Sequence, residues 1–432
     1  MPKNLNPSSS IIVIGAGTWG SSTALHLARR GYRNVTVFDP YPVPSAIAAG
    51  NDVNKIAEIG PPSETGEEDY VHEQIRAAVA RGWLEDPVFK PYYHGTGYVV
   101  AAHSPAGLDY LEKREMPPSR DGFLRLDNAE AFRKTMPEGI LTGAFPGWKG
   151  YYKKTGSGWV HAKKALVAAV KEAERLGVIF VSGSPRGDVK GFLYENGDVI
   201  GVETGDARRH EASIVILAAG ANADQFLDFK EQLRPTAWTL AHIKMTEEEV
   251  KLYKNLPVLF NIEKGFFMEP DEDNHELKMC DEHPGYCNWI TGADGVRKSI
   301  PFARHQIPKE AEVRMRGFLR DTMPQLADRP FSFARICWCA DTPNREFLID
   351  FHPEHSSLLL AVGGSGHAFK HIPAIGGFIV DALEGTLDPR VAEAFKWRPE
   401  TAVGRDWQDT QGRFGGPNSV MDFQTVTGWT SI

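Results

Sequence analysis

Residues 11–40 read IIVIGAGTWGSSTALHLARRGYRNVTVFDP, and the rest of the chain is organised around them. Four branched apolar residues, Ile11 to Ile14, predict a strand buried on both faces. They run into a G-x-G-x-x-G turn in which Gly15, Gly17 and Gly20 enclose Ala16, Thr18 and Trp19. A helical pattern follows, with Leu25, Leu27 and Ala28 apolar, and it closes on Arg29, Arg30 and Gly31. A second apolar strand, Val35 to Phe38, ends on Asp39, 24 positions after Gly15. Strand, glycine turn, helix, strand and terminal acid together form a dinucleotide-binding fingerprint.

Each part has a physical reason. Gly15 permits the tight turn, Gly17 lets backbone approach a pyrophosphate, and Gly20 lets the helix pack closely on the strand. The free N–H groups and dipole at the helix start attract the diphosphate. Asp39 can accept hydrogen bonds from an adenosine ribose, and its charge would repel the extra phosphate of NADP. The fingerprint does not choose between NAD and FAD.

The 432 residues suffice for two domains, and 42% hydrophobic with 24% charged residues is ordinary globular composition. No apolar run approaches the roughly 18 residues needed to cross a bilayer. A net charge of −8 argues against a nucleic-acid surface. MPKNLNPSSS has no apolar signal-peptide core, and GWTSI at the other end is not a peroxisomal tripeptide. The expectation is an intracellular protein, cytoplasmic or peroxisomal, with no membrane partner. Its cysteines, Cys280, Cys287, Cys337 and Cys339, then read as thiols or a special chemical site rather than disulfides. Their C-x6-C and C-x-C spacings are poor zinc signatures, so no metal is expected.

Beyond Asp39, a proline-rich and then small-residue loop contains Lys55 as its one cation. Helices are expected over 72–84 and 161–177, the second closed by Gly177. Residues 191–194 and 199–204 flank an Asn196-Gly197 turn and predict a hairpin. The apolar strand Ile214 to Ala218 runs into Ala219-Gly220-Ala221, an A-x-G ending that favours FAD over NAD. From 232 to 301 the texture becomes alternating, which argues for an antiparallel sheet with one face toward a cavity. A polar-faced helix over 307–323, the strand LLLAVGG and a helix near 378–383 complete the pattern.

The expected fold is α/β: a Rossmann-like FAD-binding domain beside an antiparallel-sheet substrate domain. The FAD domain would comprise 1–90, 155–230 and 337–395, and the substrate domain 91–154 and 231–336. Residues 396–432 would close over the active site.

The chain also resembles a known family. The stretches GAGTWGSSTALHLARRGY, AGNDVNK, FPGWKGYY, QLRPTAWTL, GFFMEPDED, CDEHPGY, RPFSFARICWCADTPNREFLID and GRFGGPN resemble fungal fructosyl amine oxidases (amadoriases) along nearly the whole length. These are relatives of monomeric sarcosine oxidase within the glutathione-reductase-like, D-amino-acid-oxidase type flavoproteins. IGPPSETGEED, residues 59–69, departs most from the family, which has a loop near the substrate entrance there.

The resemblance assigns roles to particular residues. Sarcosine oxidase relatives place a cysteine six residues before a proline in thioether linkage to the flavin. Pro343 makes that cysteine Cys337 rather than Cys339. Lys55, ordinarily a surface residue type, would lie over the flavin holding a water and stabilise charge developing on oxygen. Asp281 and Glu282 point to opposite faces of a strand, so only one can face a cavity. The family pattern makes it Glu282, on sugar hydroxyls and the substrate ammonium, where the residue alone would read as a solvated turn acid. Arg413 would take the amino-acid carboxylate in its fork. Lys370 would approach the sugar or flavin edge, and Gly364, Ser365, Gly366 and His367 would allow close contact with the ring. Gly50, Ala219 and Gly220 join the fingerprint residues around the cofactor, and Trp238 and Phe267 are expected cavity walls.

The activity implied is oxidation of the sugar C–N bond of fructosyl amino acids by FAD and molecular oxygen, in a monomer. A sarcosine- or pipecolate-type amine oxidase of the same fold is the alternative within this class. A catalytically silent flavin-binding protein is the alternative outside it.

Overall fold

The computed structural model describes residues 5–60, 70–115, 122–293, 295–414 and 419–431. Most of the atypical 59–69 stretch therefore lies outside the described residues. The opening motif sits in a six-stranded sheet ordered Leu348–His352, His355–Val362, Ile214–Leu217, Ser10–Ile14, Asn34–Asp39, Ile179–Ser182. Its strands are parallel except for the hairpin of the first two. Ile11 to Ile14 pair with Ile214 to Leu217 on one side and with Val35 to Phe38 on the other.

The unbroken apolar run of this strand follows from its two covers. Ile11 and Val13 face helices, while Ile12 and Ile14 face the small three-stranded sheet that carries Val199 and Val202. Helix Thr18–Arg29 packs between Ala162–Arg175 and Ile375–Glu384. At Gly20 a Cβ would stand 1.8 Å from the Gly15 carbonyl oxygen, so only glycine lets the helix lie this close. The helix expected over 72–84 runs Tyr70–Glu85, and the hairpin pairs Val189–Glu195 with Asp198–Thr204.

The alternating region builds a second sheet, which among the described residues has ten strands. At its centre Arg234–Lys244 pairs antiparallel with Glu276–Asp281 on one side and Phe331–Asp341 on the other. Alternation gives each strand a core face and a cavity face. Leu277 and Met279 pack against Met315, Phe318 and Leu319 of helix Lys309–Thr322. Lys278, Cys280 and Glu282 point the other way, toward the nucleotide sheet. The expected domain seam at residue 337 falls inside strand Phe331–Asp341, which pairs along its length with Arg234–Lys244. The chain crosses back to the first sheet only after Asp341. Beyond 396 the chain runs back along the second sheet: Met421–Asp422 pairs with Tyr286–Cys287, and Arg413 comes to the cavity wall.

Candidate active site

A cavity of about 990 Å³ lies between the two sheets. Gly15, Gly17, Asp39 and Gly220 line it in the nucleotide half, and Trp238, Glu282 and Arg413 line it in the other.

In the nucleotide half Gly15 has φ +99° and donates its N–H to the Phe38 carbonyl at 2.7 Å. A Cβ there would meet the Ala218 carbonyl oxygen at 2.7 Å. Asp39 accepts the backbone N–H of Ala16 and of Tyr41, each at 2.9 Å. Burial raises its pKa and those two donors oppose the rise. Gly17 caps the helix without any side-chain hydrogen bond, leaving the first-turn N–H groups for a ligand. Trp19 lines the cavity with its Nε1 buried and without a partner among the described residues, and a Cβ at Gly50 would stand 2.5 Å from the Thr18 hydroxyl oxygen. A glycine turn, an open helix start, a strand-end acid and an orphaned donor fit an adenine dinucleotide.

Strand Lys55–Glu58 brings Lys55 to the cavity wall. Its Nζ lies 2.6 Å from Asp52 Oδ2, and the same oxygen accepts from Lys278 Nζ at 2.7 Å. Burial alone would raise the Asp52 pKa, but the Lys278 and Lys55 charges reverse it and hold the carboxyl well below the usual range. Burial likewise works against the Lys55 charge, and Asp52 outweighs it, so the ammonium stays above the ordinary lysine range.

At the other end stands a cluster of charges. Burial pushes the Glu282 carboxyl up to about 8; the Arg413 charge opposes this and the Asp281 charge adds to it. Asp281, fully buried, is held by Arg314 at 2.8 Å on the opposite face, so the two adjacent acids do part as their alternation requires. Arg413 lies with its guanidinium carbon 4.5 Å from the centre of the Trp238 ring. Its fork is closed on Asp341, Nη1 to Oδ2 and Nη2 to Oδ1, both 2.9 Å. Nη1 also donates to Gln411 and Nη2 to the Ser365 carbonyl. The bidentate capture of a substrate carboxylate expected of Arg413 is thus already made, inside the protein, with Asp341.

Gly364, Gly366, His367, Lys370 and Ala219 line the cavity with Cys337. Ser365 does not: it is fully buried, accepting from the Thr342 N–H and donating to the Gly363 carbonyl, so it shapes the turn and not the ring contact. Phe267 is not a cavity wall either. It pairs with Met279, packs on Phe318 at 6.2 Å between centroids and belongs to the core behind the sheet. Phe266, one position earlier and opposite Cys280, takes the cavity side. Gly20 serves helix packing and does not reach the cavity.

Cys337 and Cys339 both line the cavity, because residues two apart on a strand share a face. Alternation therefore does not choose between them. The four cysteines are free thiols. Among the described residues the one group with atoms close enough to share a metal is His161, Asp271 and Asp273, where Asp273 is paired with Lys164 at 2.7 Å.

Sequence reasoning missed Asp52, Lys278, Asp341 and Arg345. Lys278 had a signal: it is two residues before Cys280 and four before Glu282, hence on their face. Asp52 stands three residues before Lys55 in a loop without period, and Arg345 in a turn; neither carried one.

Comparison with known proteins agrees with this geometry. The profile of the FAD dependent oxidoreductase family matches residues 10–382. The chain belongs to that family. Within it, the chain stands with the fructosyl amine oxidases. It is similar to the crystal structure of Amadoriase II, a deglycating fructosamine oxidase from Aspergillus fumigatus, in complex with FSA: 58% identity, TM-score 0.97, covering 99% of this chain and 98% of that one. It is similar to Amadoriase I of the same organism at 61% identity and TM-score 0.97, covering 100% and 99%. L-saccharopine oxidase of Schizosaccharomyces pombe is 30% identical over 91% of this chain and 94% of that protein. The protein is a flavin-dependent oxidase. Among the described residues no helix is long and apolar enough to cross a membrane.

Proposed function

We propose that this protein deglycates fructosyl amino acids. Overall, the sugar C1–N bond loses two hydrogens, water cleaves the resulting imine, and oxygen takes the electrons, giving glucosone, free amino acid and hydrogen peroxide. The observation that carries the reading is the joint architecture of the cavity. A dinucleotide cradle opens directly onto a chamber in which the Glu282 carboxyl faces guanidinium groups. The same arrangement of chain holds FSA in the fructosamine oxidase at 58% identity.

FAD would rest on Gly15, Gly17 and the open helix start, with Asp39 at its ribose and Cys337 as the thiol tethering it. When bound, it supplies the acceptor for hydride from the substrate and passes the electrons to oxygen. The chain's own residues do the rest. Lys55, fixed by Asp52, holds positive charge where oxygen is reduced. Glu282 bonds the sugar hydroxyls, and Lys370 lies at the sugar or flavin edge. Trp238 forms a wall that excludes water, and Arg413 adds positive charge at the amino-acid end. The protein acts as a monomer on this reading.

Peroxide production from α-fructosyl valine, ε-fructosyl lysine, a fructosyl dipeptide, sarcosine, pipecolate and saccharopine tests the proposal. Turnover on a fructosyl compound is expected. Turnover confined to the other amines would discard the sugar site, and a yellow protein with no turnover would leave a silent flavin binder.

A further inference from the structure

The carboxylate end of the cavity holds an arginine that the charge cluster does not satisfy. Arg234, Arg345 and Arg413 gather around one carboxylate, Asp341. Asp341 and Arg234 are wholly buried, and Asp341 gives both its oxygens to Arg413. Arg413 therefore has a complete set of partners on both terminal nitrogens.

Arg345 is different. It lines the same cavity, and among the described residues its one side-chain hydrogen bond is a marginal 3.4 Å contact from Nη2 to the Ser365 carbonyl. Its Nε is buried with no partner among the described residues. Burial and then the neighbouring Arg413 charge work against its own and outweigh the opposing Asp341 charge, holding it below the ordinary arginine range. A guanidinium so placed is short of one anion.

The backbone is arranged to keep it there. Arg345 has φ +64°, a left-handed conformation that a non-glycine residue adopts only when the surroundings impose it. Its N–H donates to the Thr342 carbonyl at 3.2 Å, and its own carbonyl lies 3.0 Å from His367 Nε2. Burial, then the Lys370 and Arg345 charges, push His367 down to about 3, so the ring is neutral and Nε2 can donate that bond. A cavity-lining histidine is thus spent on orienting the arginine.

We propose that Arg345 is a ligand of the substrate carboxylate, and so sets the preference for glycated amino acids over glycated simple amines. This rests on the fructosyl amino acid reading above. With the Arg413 fork turned to Asp341, an incoming carboxylate needs a second guanidinium, and Arg345 is the cavity-lining one that has no carboxylate hydrogen-bonded to it among the described residues. Charge-assisted bonds to that carboxylate would complete its donor set.

The test is anaerobic bleaching of the flavin by fructosyl glycine and by fructosyl methylamine, which share the sugar and nitrogen and differ in the carboxylate. In Arg345→Gln the half-saturating concentration of fructosyl glycine should rise roughly 10-fold or more. That of fructosyl methylamine, and both limiting rates, should stay within about 2-fold of wild type. Arg345→Lys should recover part of the loss, since it restores the charge without the fork. Equal losses for the two compounds, or no loss for either, would overturn the assignment. Wild-type enzyme bleached by neither compound would instead overturn the substrate reading, and this proposal with it.

Discussion

Lys55 and Lys278 share a single oxygen of Asp52, at 2.6 and 2.7 Å, although Lys278 is 226 positions away from Asp52 in the chain. Asp52 and Lys278 are nearly inaccessible, at 2% and 1% of their side-chain surface, so the bridge has almost no water to replace it. Removing one partner of a buried pair leaves an uncompensated charge and costs about 3–5 kcal/mol. Asp52→Asn should therefore lower the unfolding free energy by about that amount in a denaturant titration. The Asp52 contribution is present above the ordinary carboxyl range and lost as pH falls through its depressed pKa; the Lys55 contribution is present below the ordinary lysine range and lost above its raised one. Across neutral pH the bridge is intact, and an Asp52→Asn protein as stable as wild type at pH 7 would show that it is not.

Lys55→Met removes the charge but keeps the bulk. Stopped-flow reoxidation of the reduced flavin by oxygen should slow by about 10²-fold, the scale of losing one preorganised electrostatic donor. Anaerobic reduction by substrate should change far less. Reoxidation at the wild-type rate would remove Lys55 from the oxygen reaction.

Cys337→Ser should release flavin into the supernatant on acid precipitation, while Cys339→Ser should keep a yellow pellet. The comparison matters because both thiols line the cavity. A yellow pellet from Cys337→Ser would sink the tether at that position.

Burial pushes the Glu282 carboxyl up to about 8. Below that pH it is a neutral donor; above it, a carboxylate that repels an anionic ligand. Binding of a carboxylate-bearing sugar ligand should weaken as pH rises through about 8, and Glu282→Gln should flatten that dependence. Stability follows the same sign. The folded state keeps a proton that the unfolded chain loses in the ordinary carboxyl range, so the residue's contribution falls as pH rises from there to about 8. A titration limb that persists in Glu282→Gln would assign it elsewhere.

Gly20→Ala places a methyl 1.8 Å from the Gly15 carbonyl and should yield little flavin-loaded protein. Gly17→Ala meets nothing within 4 Å in the protein and should fold, with any loss confined to flavin content. Equal flavin content and melting temperature in both variants would contradict the packing role of Gly20.

The nucleotide half was legible because its signals are local. A glycine turn between two apolar strands, and an acid at the second strand's end, are fixed by neighbours a few residues apart, and the strands pair as that order requires. Periodicity also told the second sheet from the first and separated Glu282 from Asp281. The expected wall at Phe267 falls one position off, because the face that turns to the cavity depends on register against Met279 and Cys280.

From the sequence alone came the fold class, the dinucleotide cradle and, through its resemblance, the family. Only the tertiary structure decided who partners whom in the charged cavity. Asp341 closes on Arg413 across 72 positions, Asp52 bridges two lysines, and the Arg345 Nε is left without a partner among the described residues. Such pairings have no local signature: cross-sheet register and burial set them, and in a low-dielectric cavity the nearest opposite charge outweighs any preference written along the chain.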